Sequence, residues 1–499
     1  MGIIRRQSIY NTLLIYCGVA VGFLNKVVIF QHFLTDEEYG MLGLIVSAMV
    51  LGSEISQFGV ARLIYRFFPH FKQTAEREGA FTVFVLIYVL AGYGVALVLM
   101  LLLRPQMIAF FGDSSPLFTS QFYLLIPAVL AHTLYRVSEA FARSHFLSVL
   151  PTLTWEVLVR VWQTAAVLLY AFDYLSFEPF ALAYMLGFLV PGLIITGYLI
   201  QQGKFKLNWK LSYLSRRVMR LLLRYSLMTS LSYVAYFIVL RVDVFMIGGM
   251  ISEGAAGAYD FAYYLVILLL IPSKSVNSIL LPLLSDHLKH NRLKEVNRLY
   301  DQSSTTSLVL AQLIFMLMYI NLDAFFVIFP KFVEARSVIF LLGIGNLSTV
   351  LVMGLRYIII NSRHYRFDLL SSLALMLVVI GSNYLLIPIM GINGAALATA
   401  ISLSLYNLTG ALFVQQRFGI PSFSWKKAWA VLLFLVTLWL GLQVPALANP
   451  WADMVLRSSI MLPLYLGIAF LLRLSPDLND AAQLGMTKLG LKRQAKNDR

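Results

Sequence analysis

Charge is scarce in this chain. Only 13% of its 499 residues are Asp, Glu, Lys or Arg, about half the share of an ordinary soluble domain. That scarcity excludes a soluble enzyme and a disordered protein. Cysteine is scarcer still: Cys17 stands alone, so an intrachain disulfide and a secreted disulfide scaffold are excluded. The seven histidines are scattered and none forms a His-Glu-x-x-His pattern, which leaves no metal-hydrolase signature. A glycine-rich phosphate loop is missing, and with it an ATP-driven motor. No loop on the outer side of the topology derived below exceeds about 20 residues. This weighs against a membrane glycosyltransferase or polysaccharide polymerase, the alternatives from a different functional class.

What the chain does have is apolar length. Hydrophobic residues make up 59% of it. At about 20 apolar residues per helical crossing, that is enough for roughly fourteen spans. Continuous runs rule out period-two transmembrane strands, so the fold class is all-α and polytopic. The expected spans are 10–33, 40–61, 80–103, 117–137, 147–172, 179–201, 225–250, 255–282, 303–322, 336–360, 368–387, 391–415, 428–445 and 454–473. The first is too long for a signal peptide and lacks a small-residue cleavage site, so it reads as a retained span.

Basic residues set the orientation. With the N-terminus inside, 30 of the 39 Lys and Arg fall in inner loops and tails, three fall outside, and six lie within spans. This is a strong positive-inside bias, and it places both termini in the cytoplasm. The net charge of +15 is therefore mainly a topology signal. No basic soluble face exists to bind nucleic acid.

The sequence also repeats. Lys26 and the segment Leu34-Thr35-Asp36-Glu37-Glu38-Tyr39-Gly40 align without a gap on Asp243 and Ile251-Ser252-Glu253-Gly254-Ala255-Ala256-Gly257, at an offset of 217. Arg136 and Arg143 match Arg356 and Arg363 at an offset of 220. Two nearly equal offsets indicate two six-helix bundles in the same orientation, related by a pseudo-twofold along the membrane normal. The expected organisation is a first bundle over 1–205, a basic linker over 206–224 and a second bundle over 225–417. Two additional helices follow over 418–473, and a basic tail over 474–499.

Charges within spans cost about 3 kcal/mol each at a helix centre, so each needs a partner, water or a role. Lys26 and Asp243 are repeat equivalents in the outer halves of their spans, placed to face each other as a cation site or a structural pair. Arg241 lies about 200° around the helix from Asp243, so one carboxylate there cannot serve both bases and a cation is left for a ligand. Lys274, beyond Pro272, is a candidate phosphate-binding charge or a snorkelling side chain. Glu54 has no base within four residues. It either pairs across helices, for instance with Lys274, or exchanges a proton or sodium ion. Asp260, near the outer interface, reads as a solvated cap. Glu156 with Arg160 and the Arg136, Glu139, Arg143 ladder read as helix-local pairs. Arg62 and Arg136 stand at inner span ends, as topology anchors or as receivers of an anionic headgroup.

Leu34-Thr-Asp-Glu-Glu-Tyr-Gly40, Phe58-Gly-Val-Ala-Arg62 and Gly391-Ile-Asn-Gly-Ala-Ala-Leu-Ala-Thr399 together resemble the polysaccharide (O-antigen) flippases. These belong to the multidrug/oligosaccharidyl-lipid/polysaccharide exporter superfamily. The resemblance spans about residues 1–475. It implies alternating access around a cationic cavity, where Lys26, Arg241, Lys274 and Arg356 could serve. It also implies export of undecaprenyl-diphosphate-linked oligosaccharide across a bacterial plasma (inner) membrane. No enzyme activity and no cofactor are expected, and coupling to a proton gradient, a sodium gradient or the membrane potential is left open. The implied partners are the lipid-linked oligosaccharide and the bilayer, with other polysaccharide-assembly membrane proteins as candidates and a monomer favoured. A lipid II flippase and a cation-coupled multidrug exporter share the fold and stand as alternatives.

Overall fold

A computed structural model describes residues 2–290, 292–360, 362 and 364–480. Arg363 and the basic tail beyond 480, both used in the sequence reading, lie outside the described residues. The described chain is helical, without strands. It divides into two compact units, Met1–Asp260 and Phe261–Arg499.

The first unit contains α1 (Gly2–Phe23), α2 (Asp36–Gln57), α3 (Val60–Phe71), α4 (Ala75–Phe111), α5 (Leu125–Ser144), α6 (Val159–Ala171), α7 (Phe177–Leu186), α8 (Leu189–Gln201), α9 (Arg216–Met250) and the start of α10 (Glu253–Ile267). Helix α1 runs on through a π turn, Leu24–Ile29, to Phe33, and a second π turn, Thr154–Leu158, precedes α6. Local chemistry sets the boundaries. Thr35 and Glu38 form a reciprocal capping box: the Thr35 hydroxyl accepts from Glu38 N at 3.2 Å and Glu38 Oε2 accepts from Thr35 N at 2.8 Å. Such a cap is worth about 1 kcal/mol. Ser252, the repeat equivalent of Thr35, likewise accepts from Ala255 N at 3.1 Å as α10 begins. Helix α2 ends where Phe58 and Gly59 both take left-handed backbone angles. Helix α3 then buries Val60, Leu63, Ile64 and Phe68 on one face and exposes Tyr65 and Arg66 on the other. Helix α2 is central, packing on α4, α5 and α9.

The second unit contains α11 (Ile271–Lys289), α12 (Leu293–Ile320), α13 (Ala335–Leu351), α14 (Leu355–Ile360), α15 (Tyr365–Met390), α16 (Ile392–Phe418), α17 (Trp425–Gln443) and α18 (Pro450–Leu471). Helix α16 packs on α13 and α15, and α12 packs on α11, α13, α17 and α18.

Among the described residues, ten helices are long and apolar enough to cross a membrane, so the protein is a multi-pass membrane protein. The expected spans missing from those ten, 117–137, 147–172, 225–250 and 336–360, are nonetheless largely helical. Three of them adjoin or contain charged residues: Arg136 and Glu139, Glu156 and Arg160, or Arg241 and Asp243. The fourth falls on α13, which is apolar but has only 17 residues.

Candidate functional site

The first unit gathers three of the expected site residues. Lys26, from the π turn after α1, donates to Asp260 Oδ2 at 2.7 Å. Arg241 of α9 donates to Asp260 Oδ1 at 3.0 Å. Each carboxylate oxygen thus receives one cation. Asp260 is not a solvated cap: its side chain is 6% exposed, whereas Lys26 and Arg241 keep 27% and 22%. A buried carboxylate is stable only when paired and hydrogen-bonded, and two bases meet that requirement twice over. The expectation that one carboxylate cannot serve both cations concerns Asp243. At Asp260 the carboxylate's two faces make it possible. The trio carries a net charge of +1, with both cations partly open to their surroundings. Gly43 lies alongside, where an added Cβ would make ordinary van der Waals contact with the Asp260 side chain at 3.6 Å. Gly43 is the repeat equivalent of Asp260, an offset signal that the sequence carried.

Asp243, the repeat partner of Lys26, is buried and accepts a hydrogen bond from the Tyr259 hydroxyl. Neighbouring residues of α10, Tyr259 and Asp260, thus bond Asp243 and the Lys26–Arg241 pair respectively.

A second polar cluster lies between α2 and α5. Glu54 is buried, with Arg136 Nε 3.8 Å from its Oε1, and among the described residues that oxygen has no hydrogen bond. Arg136 also pairs with Glu139 at 2.7 Å, and Arg143 pairs with the same acid at 2.9 Å. The helix-local ladder is present as expected, with Glu54 joined to it across helices. Next to it His132 is buried and shares a short hydrogen bond through Nδ1 with the Ser53 hydroxyl. Sequence reading passed over this histidine, because a lone His on an apolar helix gives no spacing signal. The Glu156–Arg160 pair forms at 2.9 Å.

Two expected residues lie in the second unit. Arg356 of α14 is enclosed by its own unit: it donates to Asp368 at 3.2 Å and to Ser371 at 2.9 Å, and it stacks over the Tyr406 ring at 3.2 Å. These contacts tie α14 to α15 and α16, which suits a packing role. Lys274 of α11 is exposed. Arg62 of α3, in the first unit, is half-buried.

The sequence profile of one family, described as polysaccharide biosynthesis protein, matches residues 4–288. No curated protein matches the sequence significantly. Among solved structures, the lipid II flippase MurJ in an inward closed conformation is similar with a TM-score of 0.72 at 14% identity, over 93% of this chain and 98% of that one. An inward-facing multidrug resistance MATE family transporter of the MOP superfamily gives 0.65 at 15% identity, over 83% and 98%. A MOP superfamily transporter from Pyrococcus furiosus, described by a reversed polarity of its binding pocket, gives 0.54 at 13% identity, over 83% and 95%. At these identities the likeness establishes the fold.

Proposed function

The chain belongs to the polysaccharide biosynthesis protein family, and from that premise we propose that it is a flippase for a lipid-linked oligosaccharide bearing a diphosphate. The cargo crosses from the inner to the outer leaflet of a bacterial plasma membrane by alternating access, with both termini in the cytoplasm. The observation that carries this reading is the Lys26–Asp260–Arg241 arrangement. Two partly exposed cations converge on one buried acid, an arrangement suited to an anionic headgroup. A diphosphate offers several acceptor oxygens and competes with Asp260 for both bases. Arg62 and Arg136 receive the headgroup first. Glu54, with an oxygen that lacks a hydrogen bond, is the group suited to coupling transport to a proton or sodium gradient.

Lipid II shares the diphosphate-lipid chemistry, and its flippase has this fold, so it is the second reading. Analysis of lipid-linked intermediates in a deletion strain separates the two. Trapped oligosaccharide repeat units with loss of one surface polysaccharide support the first; trapped lipid II supports the second. Neither intermediate, together with altered resistance to cationic compounds, would move the protein to drug export. The site is tested by Lys26→Ala and Arg241→Ala at unchanged protein level. Loss of glycan export is expected, and full export by both variants would remove the cation site.

A further inference from the structure

Where α12 begins, α17 begins and α18 has ended, the second unit holds a polar cavity of about 550 Å³. Charges of both signs line it: Arg298 and Lys426, and Asp301 and Asp480. No ion pair among the described residues includes Arg298 or Lys426. Asp301 lies 3.6 Å from the buried amine of Lys427, which donates to Tyr300 and to the Ser422 carbonyl. Among the described residues, Asn297 Oδ1, Thr305 Oγ1 and Ser424 Oγ, buried atoms of residues around the cavity, have no hydrogen-bond partner.

The segment after α18 has a second face. Its residues Leu474 and Pro476 close the polar cavity, while Ser475, Leu478 and Asn479 line an apolar groove of about 190 Å³ with Leu466, Ala469 and Phe470. The segment is pinned in place, with Ser475 bonded to Thr306 at 2.7 Å and Asp477 accepting from Gln302 at 2.7 Å. A charged cavity and an apolar groove thus meet across one fixed turn.

We propose that this junction is a binding site for a membrane phospholipid whose headgroup carries both a phosphate and a primary amine. The phosphate lies between Arg298 and Lys426. The ammonium group faces Asp301 and Asp480, and an acyl chain follows the groove. Such a headgroup meets both signs of charge and brings N–H donors to the carboxylates; a purely anionic headgroup lacks the cation, and a fully methylated one lacks the donors. The site uses none of the residues assigned to cargo, so it is an accessory lipid site.

The test is lipid retention by the purified full-length protein, read by native mass spectrometry. The probes are phosphatidylethanolamine, phosphatidylcholine and phosphatidylglycerol of matched chains, with soluble phosphoethanolamine as competitor. Retention of phosphatidylethanolamine about tenfold above the other two is expected, the effect of about one lost charge-assisted contact. The Arg298→Gln/Lys426→Gln double variant should abolish the preference, and Asp480→Asn should narrow it against phosphatidylglycerol. Equal retention of the three lipids by the unaltered protein would overturn the proposal, whether or not the variants fold. Phosphoethanolamine competing as well as the intact lipid would assign the cavity to a soluble phosphorylated amine and overturn the lipid assignment.

Discussion

Gly40 and Gly257 meet backbone to backbone. A Cβ added at Gly257 would stand 3.0 Å from Gly40 Cα, and one added at Gly40 would fall on the Glu253 carbonyl. The two glycines are equivalent positions of the sequence repeat, so the close approach of α2 and α10 is built from the same residue used twice. Glu253 extends the contact: its carboxylate accepts from Leu117 N at 3.2 Å and Phe118 N at 3.1 Å.

This contact predicts a graded glycine series. Gly40→Ala forces backbone apart and should destabilise the protein by about 1–3 kcal/mol, the usual cost of overpacking. Gly43→Ala meets only ordinary van der Waals contact with Asp260 and should be nearly silent. Thermal unfolding in detergent reads both; equal melting temperatures would contradict the close approach.

Asp260→Asn removes the charge that Lys26 and Arg241 share. Leaving a buried or half-buried base without its acid costs up to about 3–5 kcal/mol, less here because both cations are partly solvated. The single variant should be poorly accumulated. Adding Lys26→Met should restore protein level without restoring glycan export. A double variant no more abundant than the single one would show that the trio is not energetically coupled.

Glu54→Gln keeps the shape of the buried acid and removes its charge. Transport by this variant should lose its sensitivity to dissipating the proton or sodium gradient, while Glu139→Gln should keep it, because Glu139 is held by Arg136 and Arg143. Unchanged gradient sensitivity in Glu54→Gln would remove the coupling role.

His145, at the end of α5 and outside the spans, gives a pH prediction. Burial first, and then nearby Lys72, hold its imidazole below the usual histidine range, against the opposing pull of Glu78. The folded protein therefore favours the neutral ring. That contribution is complete above the unfolded value of about 6.5 and is lost as pH falls through the lower folded value. Melting temperature should drop on acidification across that window, and His145→Gln should flatten the drop. An identical acid-side profile in the variant would place the titration elsewhere.

The parts legible in sequence were those fixed by neighbours in the chain. The Glu156–Arg160 pair and the Arg136–Glu139–Arg143 ladder depend on spacings of three or four residues, which a helix fixes geometrically. The Lys26–Asp260 bond joins residues 234 apart, and periodicity says nothing about such a pair. Only the repeat could have pointed to it, through Gly43 opposite Asp260. Glu54 shows the same limit: its isolation on α2 was evident, but Arg136 approaches it from another helix.

Lys26 lies inside the Leu24–Ile29 π turn, where the backbone winds more widely than in an α-helix. Rewinding that turn to α geometry would shift the register of everything before it by one residue, about 100° of rotation around the axis. The amine that grips Asp260 thus sits on a stretch of backbone that stores slack. Taking up the slack would swing the preceding side chains around the helix and advance them by about 1.5 Å along its axis, a screw motion rather than a bend.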